Sequence, residues 1–149
     1  MKDRLASSIV DVLLQRAKAK YMNMAKVDML SALRHFPGFK PNVFNHIYPD
    51  YTCSTAFCLE GAIPVCHTSK IDNLPVAIYL RDTHPYKAPT CYVCPTTNIV
   101  LRESDTVDEL GRISSTYLRN WTFPGNHLSG LLQVMMDVLP KFLPSDSET

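Results

Sequence analysis

The chain changes its hydrophobic period twice. Near the N-terminus Leu5, Ile9, Val12, Leu13 and Arg16 follow an i, i+4, i+7, i+8 spacing, which predicts an amphipathic helix over Asp3–Lys20. Val27, Leu30 and Leu33 repeat every three residues and predict a second helix over Asn23–Arg34, stopped by Pro37 and Gly38. The period then falls to two. Asn42–Tyr48 and Thr52–Leu59 read as the strands of a hairpin that turns at Pro49-Asp50-Tyr51. The clearest strand is Asn73–Arg81, with Leu74, Val76, Ile78 and Leu80 on one face and Asn73, Pro75, Ala77, Tyr79 and Arg81 on the other. Thr90–Cys94 sets Cys91 and Val93 against Tyr92 and Cys94.

A polar, irregular stretch from Pro95 to Arg112 follows, with Gly111 at a turn. Tyr117, Leu118 and Trp121 predict a short helix. The last helix starts after Pro124-Gly125 with Asn126 as its N-cap. It carries the stripe Leu128, Leu131, Leu132, Met135, Val138 and Leu139, and Pro140 weakens its end. Grouped strands between helices predict an α+β fold: a four-stranded antiparallel meander in one domain over 1–143, followed by a disordered tail over 144–149.

Composition narrows the function classes. With 149 residues and 46% apolar side chains, the chain can build one core without a metal or disulfide staple. Fifteen Lys and Arg against fourteen Asp and Glu leave a formal charge of +1, and there is no long basic run, so nucleic acid is not an expected partner. No apolar run approaches the roughly 18 residues of a spanning helix, so membrane insertion is not expected. The first apolar stretch is broken by Asp11 and makes a poor signal peptide. Five cysteines, an odd number, cannot form a complete disulfide framework and suit a reduced, cytosolic chain.

Candidate chemistry is sparse. Cys91 and Cys94 have C-x2-C spacing, but only Cys66-His67 lies near enough in sequence to complete a zinc site. Strand residues three apart also point to opposite faces, so both read as small apolar strand residues. The histidines at 35, 46, 67, 84 and 127 form no metal-binding pair, and no nucleotide-binding or hydrolase motif occurs. Neither metal nor cofactor is expected. Tyr79 and Tyr92 stand opposite their strands' aliphatic residues. They face outward as interface anchors if the aliphatic face packs on helices; the alternative is that they pack under a loop or helix.

A wider pattern runs from about Phe39 to Val138. It comprises Leu59-Glu-Gly61-Ala-Ile63-Pro64-Val65, Asn73-Leu-Pro75-Val, Asp82-Thr-His-Pro85-Tyr86-Lys-Ala-Pro89, and Cys91-Tyr-Val93-Cys-Pro95-Thr96. It continues through Val107-Asp108-Glu-Leu-Gly111-Arg-Ile113, Tyr117-Leu118-Arg-Asn-Trp121, Pro124 and Gly130-Leu131-Leu-Gln133-Val134-Met135. This order resembles the UEV (ubiquitin-conjugating enzyme variant) domain, in particular the tumour-susceptibility type of the ESCRT-I sorting complex. The resemblance implies a ubiquitin-conjugating-like fold with helices on one face of the sheet and two N-terminal helices.

It also implies loss of catalysis. Active relatives place a thiol after a Gly-x-Ile turn, and a thiolate is both nucleophile and leaving group. Here that turn reads Gly111-Arg112-Ile113-Ser114, with Ser114 at the cysteine position. The relatives' oxyanion-stabilising His-Pro-Asn aligns with Thr106-Val107-Asp108, which puts a negative charge where negative charge would develop. Non-covalent ubiquitin binding maps onto Ile47, Tyr48 and Asp50 in the hairpin and onto Tyr79, Tyr92 and Cys94 on the sheet. Capture of a Pro-Thr/Ser-Ala-Pro late-domain-type peptide maps onto His67, Asp72, Asn73, Thr96 and Ile99. His67 and Asp72 replace groove tyrosines of the family, and Ser145 and Asp146 replace aromatic residues that close the groove. Further ESCRT-I subunits would bind through regions outside this chain, and the implied location is cytoplasmic, peripheral to endosomes. A competing class is a non-catalytic cofactor subunit of an active conjugating enzyme.

Overall fold

The computed structural model describes residues 2–48, 50–67, 70–93, 107–108 and 111–139. The elements run α1 (Lys2–Arg16), α2 (Met22–His35), β1 (Lys40–Ile47), β2 (Cys53–His67), β3 (Lys70–Leu80), β4 (Thr90–Val93), α3 (Thr116–Arg119) and α4 (Leu128–Val138). The strands form one antiparallel sheet in the order β1-β2-β3-β4. Helices α1, α2 and α4 cover one face, so the expected α+β meander is the architecture found.

Alternation decides which face is covered. Phe57, Leu59, Ile63 and Val65 on β2, the four aliphatic residues of β3, and Cys91 and Val93 on β4 are all buried in one core with Leu128, Leu131, Leu132 and Met135 of α4. Strand β2 is about twice as long as its pattern predicts, because Gly61 and Pro64 hide the continuation. A Cβ on Gly61 would lie 2.7 Å from Phe39 Cγ, so the missing side chain is what lets the Phe39 ring seal the core. Pro64 lies past Glu60, where pairing with β1 ends, and Pro75 lies past Val76, where pairing with β4 ends. Each proline is therefore tolerated where one neighbouring strand is lacking in the described ladder.

The helical stripes differ from the spacing-based expectation. Among the described side chains of α1, Val10, Leu13 and Leu14 are buried, with Ala17 just past its end, while Ile9 and Val12 are exposed; the stripe lies about one residue from the predicted one. The helix ends at Arg16 rather than Lys20. Ala19 N–H bonds to Leu14 O and Lys18 N–H to Gln15 O, a Schellman pair closed by Lys18 at φ 56°. No glycine marks that stop. In α2 the core takes Ala25, Asp28, Met29 and Ala32, and leaves Val27 exposed. Asp28 is buried because it is fully used: Oδ2 meets His84 Nε2 at 2.7 Å and Oδ1 accepts from Leu128 N at 3.1 Å. The N-cap of α4 is His127, whose Nδ1 accepts from Gly130 N, not Asn126. Asn126 instead ties the preceding loop by donating to Tyr117 O. Trp121 follows α3 rather than lying in it, and its Nε1 donates to Pro85 O at 2.7 Å.

The predicted tail over 144–149 lies outside the described residues. No helix among the described residues is long and apolar enough to cross a membrane.

Candidate functional site

The sheet face turned away from the helices carries an aromatic cluster. The β1–β2 register sets Phe44 against Ala56 and His46 against Ser54, and the β2–β3 register sets Cys58 against Tyr79. Strand alternation therefore puts Phe44, His46, Tyr79 and Tyr92 on one side, above the small residues Ala56, Cys58 and Ala77. Those three are buried although none of the described helices covers them. The His46 and Tyr79 rings stack at 3.9 Å with planes 6° apart. Tyr92 stands edge-on to both rings, at 5.8 Å from each.

The hairpin turn braces one end of this cluster. Asp50 Oδ1 accepts from Thr52 N and Oγ1, and Asp50 Oδ2 lies 3.3 Å from Arg81 Nη2. The Arg81 guanidinium sits 4.0 Å over the Tyr48 ring, and the Tyr48 hydroxyl donates to Leu80 O. The hydrogen bonds from Thr52, then Arg81, hold the Asp50 carboxyl below the usual carboxylate range. Burial, then the charge of Arg81, holds His46 below its ordinary value. Burial holds the Tyr92 phenol above its own.

These observations sort the expected ubiquitin contacts. Tyr79 and Tyr92 do face outward and meet each other. Tyr48 is only 2% exposed, so it supports the hairpin from below and presents no contact surface of its own. Asp50 is exposed but engaged within the turn. Ile47 is exposed, yet alternation puts it on the opposite side of β1 from His46. Cys94 lies outside the described residues. Sequence reasoning passed over Phe44, His46, Arg81 and Tyr51, the last 89% exposed at the turn with φ 67°. The hairpin register would have found the first two, because it fixes their side; the irregular turn conceals that register.

Among the described residues, no general base reaches the Ser114 hydroxyl of the Gly111–Ser114 bend. Gly111 has φ +85°, and a Cβ there would collide with Val93 O. Asp108 organises the bend: its N–H bonds to Arg112 O, and its Oδ1 accepts from Arg112 N. The Ser114 hydroxyl accepts from Arg119 Nη1 at 3.0 Å, and a guanidinium cannot take its proton. Cys91 is the described cysteine nearest in the ladder, its carbonyl accepting from Ile113 N. Its thiol points into the core and is fully buried, and burial pushes its pKa far up, so it has no thiolate to offer. Cys58 is also buried, with its thiol pushed up to about 12, burial first and Glu60 second. Cys53 and Cys66 are exposed on β2.

Of the expected peptide groove, Asn73 is exposed opposite Pro64. His67 and Asp72 stand on β2 and β3, with side chains outside the described part, and Thr96, Ile99, Ser145 and Asp146 lie outside the described residues. A separate cavity of about 620 Å³ lies between the Phe36–Phe39 turn, Ala62 and Pro64 of β2, and Gln133 and Met136 of α4. It includes none of those groove residues. No group of three His, Cys, Asp or Glu among the described residues is placed to hold a metal.

Comparison with known proteins agrees with the fold. The human tumor susceptibility gene 101 protein is 31% identical over 122 residues, covering 82% of this chain and 31% of that protein. Ubiquitin-conjugating enzyme E2 variant 3 of Xenopus tropicalis is 28% identical, covering 87% of this chain and 27% of its own length. The chain thus spans about a third of the curated relatives it matches. Among solved structures, the yeast vps23 UEV domain in complex with a vps27 PSDP peptide superposes with TM-score 0.78 at 18% identity, covering 91% of each chain. A complex of the Vps23 UEV with ubiquitin gives TM-score 0.70 at 20% identity, covering 93% of this chain and 97% of that one. With the UEV domain family model matching residues 10–147, nearly the whole chain, the protein belongs to the UEV domain family.

Proposed function

We propose that this domain is a catalytically inactive carrier-like module that captures ubiquitin without a covalent bond, on the open face of its sheet. The observation that carries this reading is the partly exposed cluster of His46, Tyr79 and Tyr92 beside the Arg81-braced hairpin. Rigid rings offer apolar area at little entropic cost, which suits an aliphatic patch on a small partner. The interface is small and transient, with affinity correspondingly weak. The similar Vps23 domain solved with ubiquitin supports the choice of partner. Ser114 bonded to Arg119, and a Cys91 thiol sunk in the core, support the absence of conjugating activity.

The setting is ESCRT-I-dependent sorting of ubiquitinated cargo at the cytosolic surface of endosomes, with other ESCRT-I subunits held by regions outside this chain. Binding of a proline-rich late-domain-type peptide is the accompanying activity. It is supported by the vps27 PSDP peptide complex of the similar yeast domain and by exposed Asn73. The similarity to E2 variant 3 favours, as second reading, a non-catalytic subunit beside an active conjugating enzyme.

A titration of isotope-labelled domain with ubiquitin tests the main reading. Backbone shifts are expected at Phe44, Tyr79 and Tyr92, and Tyr79→Ala should abolish them. No shift at millimolar ubiquitin refutes it. An ATP-driven charging assay that produced a ubiquitin–domain thioester or ester would refute the inactivity, and co-purification with an active conjugating enzyme would favour the second reading.

A further inference from the structure

We propose that His46 is the positioning residue of the open face and makes capture pH-dependent: its neutral ring fixes Tyr79 and Tyr92 in their binding orientation, and protonation dismantles the stack. This rests on the ubiquitin reading above. His46 is the hub of the cluster, touching Tyr48 edge-on at 4.8 Å, Tyr79 face-on at 3.9 Å and Tyr92 edge-on at 5.8 Å. Tyr79 and Tyr92 meet only edge-on, so the flat platform between β1 and β3 exists because the imidazole completes it.

The opposite side of the ring sets the switch. His46 Nε2 is buried and has no hydrogen-bond partner among the described residues. As a bare lone pair it is tolerated in an aromatic setting; as an N–H carrying charge it must reach water or an acceptor. The ring would have to tilt out of its stack to find either. An imidazolium would gain some attraction to the Tyr79 face, but it would lie in the field of Arg81 and leave its buried N–H unpaired. The charged and titratable groups around it are few. Arg81 comes from the end of β3. Asp50, in the hairpin turn, is already paired to Arg81. Glu60 on β2 pairs with Ala77 and meets the thiol of Cys58, the residue opposite Tyr79, and the Tyr92 phenol is set against Arg112 and Asp108. None of these offers an acceptor to Nε2 in the structure. Burial and Arg81 both favour the neutral ring.

The sign follows from that preference. A histidine held below its unfolded value of 6.5 contributes order that is fully present above pH 6.5. That order is lost as pH falls through the folded value.

Two measurements test the proposal. In the free protein, the Tyr79 and Tyr92 ring resonances should move together with a midpoint below 6.5, and His46→Phe, which keeps the ring shape without a proton, should flatten that transition. In the ubiquitin titration, wild-type affinity should fall by about two- to tenfold between pH 7.5 and 5.0, the value of one aromatic contact. His46→Phe should lose that fall and retain only whatever pH response belongs to ubiquitin. Static tyrosine resonances overturn the proposal. So does an equal pH dependence in wild type and His46→Phe. If ubiquitin never binds while the rings still titrate, the function proposed above fails and the coupling of His46 to the rings stands.

Discussion

The pair Asp28 and His84 joins three separate parts of the chain, and Asp28→Ala should be among its most destabilising single changes. Asp28 belongs to α2, His84 follows β3, and the Leu128 amide opens α4. The side chains of Asp28 and His84 are 3% and 1% exposed. Truncation to alanine removes both acceptors at once. It leaves His84 Nε2 without a partner when Nδ1 already lacks one, and it orphans a buried N–H at the start of α4. Breaking a buried pair by removing one member costs about 3–5 kcal/mol, and an orphaned amide about 1–3 kcal/mol. The two overlap because local relaxation admits water to both, so about 4 kcal/mol is expected. Against a total of about 5–15 kcal/mol for a domain, that is a large fraction. With a urea slope of about 2 kcal/mol per molar, the unfolding midpoint should fall by about 2 M at unchanged slope. Asp28→Asn keeps an oxygen for Leu128 N and a polar group toward His84, and should cost about half as much. Asp28→Leu with His84→Phe should recover part of the loss, because no buried partner of the pair is then left over. A loss below about 1 kcal/mol in Asp28→Ala, or equal losses in the alanine and asparagine variants, would refute the reasoning.

Three further outcomes are expected. Gly111→Ala should cost about 2 kcal/mol or more, from the strained φ and the collision with Val93 O, read as a lowered thermal midpoint; an unchanged midpoint would mean the bend is free to relax. Under native conditions at pH 8 an alkylating reagent should label Cys53 and Cys66 and spare Cys58 and Cys91, whose thiols are buried and held protonated, as peptide mass spectrometry would read; native labelling of Cys91 contradicts its placement. Because the folded state lowers the Asp50 pKa, the turn gains stability above about pH 3.8 and loses it as pH falls through the folded value, so the Thr52 and Tyr51 amide resonances should shift only in that acid range, and Asp50→Asn should remove the transition.

What could be read from the sequence, and what could not, follows one physical division. The β3 pattern was sufficient for its buried face, because period-two alternation leaves each side chain only two sides and all four aliphatic residues took the same one. The same logic put Tyr79 and Tyr92 opposite the aliphatic residues, but it left open whether that side is bare or packed under a loop or helix. Helical stripes were less legible: α1 offers two overlapping apolar stripes, and only packing on α2, β1 and β2 selects Val10, Leu13 and Leu14 over Ile9 and Val12. Asp28 was invisible as a core residue, since its justification is a histidine 56 positions away and an amide 100 positions away. His46 failed for the same reason. As a lone histidine in a hairpin it carries no motif, and its meaning arises only when register brings Tyr79 beneath its face, 33 residues later in sequence. Local patterns therefore reveal which residues share a surface, while the contacts that give that surface its chemistry are set by strand register. This places the decisive test of the open face at His46, the residue whose role depends wholly on that register.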